Sequence, residues 1–184
     1  MEANRSLVDV QQAALRNNAA VAASLASIMT SIAAHHDAVV SHQVQFASAK
    51  RAASANRVAR SVNAEVCSAY ALSLKAGGSK AVMERELCPL LKEFFAAGDL
   101  TSGGVALADS LVPGPDCAQW QAWPPLATPE IGSAPDHFPK TPADIEDMAH
   151  VDLLRLVAFY NESFAIRQSD SLPERRDKFR RWCC

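Results

Sequence analysis

Neither glycine nor proline occurs between Met1 and Ala76; the first breakers are Gly77 and Gly78. These two residue types cost a helix interior most, about 1 and 3 kcal/mol against alanine. Their absence removes the ordinary reasons for a helix to stop. Large side chains are scarce too. Hydrophobic residues make up 49% of the chain but aromatics only 7%, and the abundant alanines bury little area each. The chain is apolar in composition yet poor in core-building groups.

Other absences narrow the function. The five cysteines (Cys67, Cys88, Cys117, Cys183, Cys184) include no C-x-x-C pair, against the usual zinc spacing and against a secreted disulfide framework. A net charge of -2 gives no global attraction to nucleic acid or acidic membranes. No run approaches the ~18 unbroken apolar residues of a membrane span, and the opening residues lack the apolar core of a signal peptide. The expectation is a non-secreted, intracellular protein. Asn4-Arg5-Ser6 and Asn161-Glu162-Ser163 are then chance matches to the glycosylation pattern.

What is present is a long helix. Residues 1–76 are expected to form it, with Ser6 as an N-terminal cap and Gly77 as the stop. Some 70 residues at 1.5 Å each would reach about 105 Å, against a usual helix of about 11–12 residues. Leu25, Ile28, Ile32, Val39, Phe46, Ala49 and Ala53 follow steps of three and four, with His35 and His42 in the same stripe. This is a coiled-coil-like seam. Asn56 and Arg60 occupy the next positions, so the register fails. A new stripe of Val58, Val62, Val66 and Ala69 predicts a phase shift or kink near residue 55. Two or three antiparallel helices, turning near Asn17-Asn18 or Ser54–Asn56, are the alternative.

Neither metal nor nucleic acid fits this helix. His35 and His42 lie two turns apart, about 10 Å, too far to share an ion, and His36 points elsewhere. No metal or other cofactor is expected. Lys50, Arg51, Arg57 and Arg60 form a basic cluster without the interleaved aromatics that stack on bases, so a solvated face or an acidic partner is the better reading.

The remainder divides by composition. Residues 79–112 predict short helices: one from Ser79 to Ala97, kinked or restarted at Pro89, and one at Val105–Leu111. Leu87, Leu90, Leu91, Phe94 and Phe95 are the packing residues of the first. Residues 113–142 hold eight of the ten prolines and predict an extended segment, anchored to a surface by Trp120 and Trp123. Residues 143–184 predict a helical docking hairpin. Its first helix is capped by Thr141 with Pro142 at the first position and runs on to Ile166; its second is opened by the capping box Ser171–Glu174. Phe179 and Trp182 share a face there, to pack on the first helix or on a neighbouring subunit.

The fold expectation is therefore all-α. No nucleophile–base signature, paired carboxylate motif or phosphate loop is evident, so the chain reads as a non-enzymatic assembly subunit. Its partners would be other protein subunits or a second copy, met through Leu25, Ile28, Ile32, Val39, Phe46, Trp120, Trp123, Phe179 and Trp182. Complex virus capsids (as minor capsid proteins) and ciliary or cytoskeletal lattices use small proteins of such shape, an analogy of shape alone. The alternative is a membrane-associated adaptor lipidated at Cys183 and Cys184, behind a basic run.

Overall fold

A sequence without breakers should give an unbroken helix, and the computed structural model has one: α1, Glu2–Lys75, 74 residues. The structure describes residues 2–78, 85–93, 100–114, 117, 120 and 130–184, without the side chains of 2–7 and 100–103. The helix starts ahead of Ser6 and passes residue 55 without interruption, so neither antiparallel alternative holds. Its end is as expected. Gly77 takes a left-handed φ of 77°, and the Gly78 N–H returns to the Ser73 carbonyl at 2.9 Å, satisfying a carbonyl the helix leaves open. Among the described residues four further helices follow: α2 Leu100–Ser110, α3 Pro142–Asp147, α4 His150–Tyr160 and α5 Leu172–Cys183. No strand occurs among the described residues, and the fold is all-α.

The chain divides into two compact units, Met1–Phe46 and Ala47–Cys184. In the first, every described side chain of α1 is exposed. The second has a full core, centred on Leu153, Leu154, Leu156, Val157, Phe164, Ile145 and Phe179.

Residues 85–93 correct one expectation, for they are not helical. Two asparagines of α1 claim the segment's backbone. The Asn56 amide accepts from Leu91 N–H and donates to Leu91 C=O, both at 2.7 Å. Asn63 does the same to Cys88, at 2.7 and 3.0 Å. Seven helical residues rise about 10.5 Å and three extended residues span about 10 Å. Asparagines one heptad apart therefore meet residues three apart on an extended chain. The other edge of the segment is also satisfied. Leu87 N–H donates to Lys140 C=O, and Lys92 exchanges bonds with Ser133 and Gly132 at 2.8 and 2.9 Å. Tyr160 donates to Leu90 C=O at 2.5 Å. Pro89 has no N–H to place, and most of the polar backbone from Leu87 to Lys92 is paired, as a buried segment requires.

The same contacts overturn the second stripe. The buried face of α1 is Ala52, Asn56, Ala59, Asn63, Val66 and Tyr70, spaced by alternating fours and threes. Val58 stays 65% exposed. Asn56, which looks like a register failure, belongs to the buried register together with Asn63.

Two more boundaries move. The helix expected from Pro142 to Ile166 breaks at Met148–Ala149, where the Asp152 carboxylate takes the Ala149 N–H at 2.7 Å and Arg176 takes the Met148 carbonyl at 2.7 Å. It then ends at Tyr160, with Asn161 left-handed as its cap. The helix expected at Val105–Leu111 starts earlier and contains its glycines. At Gly104 a Cβ would run into the Ala158 carbonyl, so glycine sets how closely α2 approaches α4. Thr141 caps α3 as expected, through a full capping box with Asp144. Ser171 opens α5, its N–H and hydroxyl both donating to the Glu174 carboxylate at 2.8 and 2.7 Å. Trp123, Phe94 and Phe95 lie outside the described residues.

Candidate docking surfaces

Among the described residues, the seam side chains of α1 are exposed. Leu25, Ile28, Ile32, Val39 and Phe46 are 53–74% exposed. They are joined by Val8, Val10, Leu15, Val21, Met29, Val40 and Val44, none less than 43% exposed. Between Asn17 and Phe46 the only formally charged side chain at neutral pH is Asp37. His35 is turned back on its own helix, where its Nδ1–H donates to Ser31 C=O at 2.7 Å. A stretch of α1 is long and apolar enough, by length and composition, to cross a membrane.

The aromatic candidates behave differently. Phe179 is fully buried, edge-on to Phe164 at 5.3 Å and to Phe138 at 6.1 Å. Trp182 stacks on it at 5.7 Å, and meets Tyr160 at 4.8 Å and Phe164 at 4.3 Å. The Arg60 guanidinium lies 5.5 Å over the Trp182 ring, and its Nε donates to Trp182 C=O at 3.3 Å. Trp120 is buried and donates from Nε1 to Asp109 at 2.9 Å. Of the two expectations for Phe179 and Trp182, packing on the first hairpin helix or on a neighbouring subunit, the contacts with Tyr160 and Phe164 match the first, and Trp120 is likewise buried within the chain. The capping box at Ser171 starts the helix that brings Phe179 and Trp182 to one side.

Cys183 is wholly buried, its Sγ donating to Arg180 C=O at 3.3 Å, and Cys184 is half-buried. The Cys184 sulfur lies 2.9 Å from that of Cys67 on α1 and 4.0 Å from that of Cys183. The hydrogen bond with Cys183, together with burial, pushes the Cys184 thiol up to about 12. The hydrogen bond with Cys184, then burial, raises Cys67 further. Burial likewise raises the Tyr160 hydroxyl. Each shift keeps its group protonated, opposite to what activates a nucleophile.

Among the described residues two cations are buried. Arg175 donates to the carbonyls of Asp170, Leu111, Arg167 and Gln168 at 2.7–3.1 Å, drawing the end of α2 and the loop before α5 together. Lys92 donates to the Phe159 carbonyl, and burial lowers its ammonium. Burial also lowers His137, aided by Arg155, and His150, aided by Arg175 and Arg176. His137 Nε2 and His150 Nδ1 find no hydrogen-bond partner among the described residues.

An open cavity of about 460 Å³ is lined by Glu162, Phe164, Ala165, Lys178, Arg181 and Trp182. Its cations are engaged, Lys178 with Asp170 at 2.6 Å and Arg181 with Asp177 at 2.9 Å. It holds no nucleophile with an adjacent base. Among the described residues no three His, Cys, Asp or Glu side chains are placed to hold a metal ion. No family model, curated protein or solved structure matches this chain.

Proposed function

We propose that this protein is a non-enzymatic assembly subunit whose residues 8–46 pair as a helix with the same segment of a second copy. One observation carries the reading: every large apolar side chain from Val8 to Phe46 is left exposed, whereas residues 47–184 complete a core of their own. An amphipathic or apolar helix gains most of its stability from packing such a face. A second copy is favoured because the segment offers almost no charge with which to select a complementary partner, while a seam of three- and four-residue steps fits its own copy.

The magnitudes make this a reversible pairing. Full burial of a large apolar side chain contributes about 1.5–3 kcal/mol. Ten seam side chains from two copies, each moving from roughly half exposed to buried, contribute on the order of 10 kcal/mol. Association costs about 4–15 kcal/mol. Pairing then depends on concentration, and a lattice or larger complex that raises local concentration would hold it closed.

Sedimentation of the full chain across micromolar concentrations tests the reading. The expected result is self-association that Ile32→Asp weakens at least tenfold without changing the melting of residues 47–184, because Ile32 is already 63% exposed in the monomer. A monomer at every concentration would sink it. So would flotation with phospholipid vesicles that Ile32→Asp abolishes, since α1 would then be a membrane segment. Lipidation of Cys183 is disfavoured because its sulfur is enclosed in the core.

A further inference from the structure

Three of the five cysteines converge where α5 ends against α1. Cys67 and Cys184 are 117 residues apart in sequence, yet their sulfurs stand 2.9 Å from one another. The backbone on both sides is held. Asn63, one turn before Cys67, donates to Cys183 C=O at 3.0 Å, and Cys184 N–H closes the last turn of α5 on Arg180 C=O at 3.1 Å. All five thiols are free. The sulfurs thus stand close together while both elements are held by hydrogen bonds.

We propose that Cys67 and Cys184 form an oxidisable pair that closes to a disulfide and ties α5 covalently to α1. Glutathione disulfide is a sufficient oxidant. The Cys184 thiolate attacks one of its sulfurs and expels a glutathione thiolate, leaving a mixed disulfide. The Cys67 thiolate then attacks Cys184 Sγ and expels the second. The two protons lost by the cysteines end on the two glutathione thiols, and two electrons pass from the pair to the oxidant.

Cys183 is the bystander. Neighbouring residues in a trans chain hold their Cα atoms 3.8 Å apart, below the usual lower bound of about 4.4 Å for a disulfide. Its sulfur is also buried and bonded within α5. The elevated thiols support a slow closure, because thiolate is scarce at neutral pH, and the rate should rise about tenfold per pH unit.

The test incubates the full chain with glutathione disulfide at mildly alkaline pH and maps tryptic peptides without reduction. The expected product joins Ser61–Lys75 to Trp182–Cys184, lighter by two hydrogen atoms than the separate peptides. Cys184→Ser abolishes it, Cys183→Ser retains it, and the linked protein melts about 10 °C higher than the reduced one, as closing so long a loop should. Should Cys183→Ser fail to fold by tryptophan fluorescence, Cys183→Ala takes its place. A link that runs through Cys183, glutathione adducts without a link, or cross-links only between chains would overturn the proposal.

Discussion

Asn63 is fully buried and makes three hydrogen bonds, taking Cys88 N–H at 2.7 Å and donating to the carbonyls of Cys88 and Cys183 at 3.0 Å. Asn63→Ala strands one buried donor and weakens two buried acceptors. A stranded buried group costs about 1–3 kcal/mol, while carbonyls keep a second lone pair and lose less. With the small cavity left behind, the cost should be about 3–5 kcal/mol, a large part of the 5–15 kcal/mol typical of a domain. Asn63→Leu should cost as much, because it fills the volume but pairs nothing. Asn63→Asp is more telling. It keeps the acceptor for Cys88 N–H but sets a carboxylate against two carbonyl oxygens, which raises its folded pKa above the unfolded value of about 3.9. A raised acid is least harmful below the unfolded value and grows costlier as pH rises toward the folded one. Its deficit against the parent protein should therefore widen from about pH 4 to pH 7.

Urea unfolding followed by tryptophan fluorescence is the assay, since Trp120 and Trp182 both report on residues 47–184. At about 1–3 kcal/mol per molar urea, the Asn63→Ala midpoint should fall by roughly 2 M. A change under 1 kcal/mol, or an Asn63→Leu more stable than the parent, would refute the pairing of Asn63 with the extended segment as a source of stability.

Three further outcomes follow from particular contacts. Gly104→Ala should destabilise by about 1–3 kcal/mol, although alanine is the better helix former by about 1 kcal/mol; the sign of the change, from thermal melts, decides whether α2 and α4 touch at Ala158. His137 and His150 are both lowered by burial, so the stability they supply is present above the unfolded value near 6.5 and is lost as pH falls below it. Asp170, lowered first by Lys178, and Glu174, lowered first by the Ser171 hydroxyl, add losses only below their ordinary values of 3.8 and 4.5. Melting temperature should thus decline in two stages on acidification, and His137→Gln with His150→Gln should flatten the upper stage alone. Trp182→Ala should cost about 2–4 kcal/mol and loosen α5, read as faster hydrogen exchange at Phe179.

The long helix was legible because it depends on local propensity, and nothing between Met1 and Ala76 opposes it. The α3 and α5 starts were legible for the same reason: a cap and its carboxylate lie three residues apart in sequence. Residues 85–93 were not. Leu87, Leu90 and Leu91 carry a plausible helical pattern, but the segment's hydrogen bonds go to Asn56 and Asn63, which lie 25 to 35 residues earlier. A tertiary contact overrides a weak local preference. A signal was present all the same: two asparagines a heptad apart in a breaker-free helix, where a polar residue at a seam position specifies what it faces. The break at Met148–Ala149 rests on Asp152 and Arg176 together, and only the first of these is near in sequence.

The two stretches of α1 show what each is suited to. Where its own chain covers it, the buried positions are Ala52, Asn56, Ala59, Asn63, Val66 and Tyr70. Alanines flank the asparagines there, and their small side chains let an extended backbone come close enough for the amides to reach it. Large aliphatic groups at those positions would hold the segment off. From Val8 to Phe46 the pattern inverts, with Leu25, Ile28, Ile32 and Val39 large and exposed. Helix propensity does not call for them, since alanine serves a solvated helix better than valine or isoleucine. Their exposure does not help folding of the core either, for among the described residues the core cluster includes none of them. Side chains that favour neither the helix nor the core are the ones the proposed pairing would bury, and their three- and four-residue steps are those by which one helix packs on another.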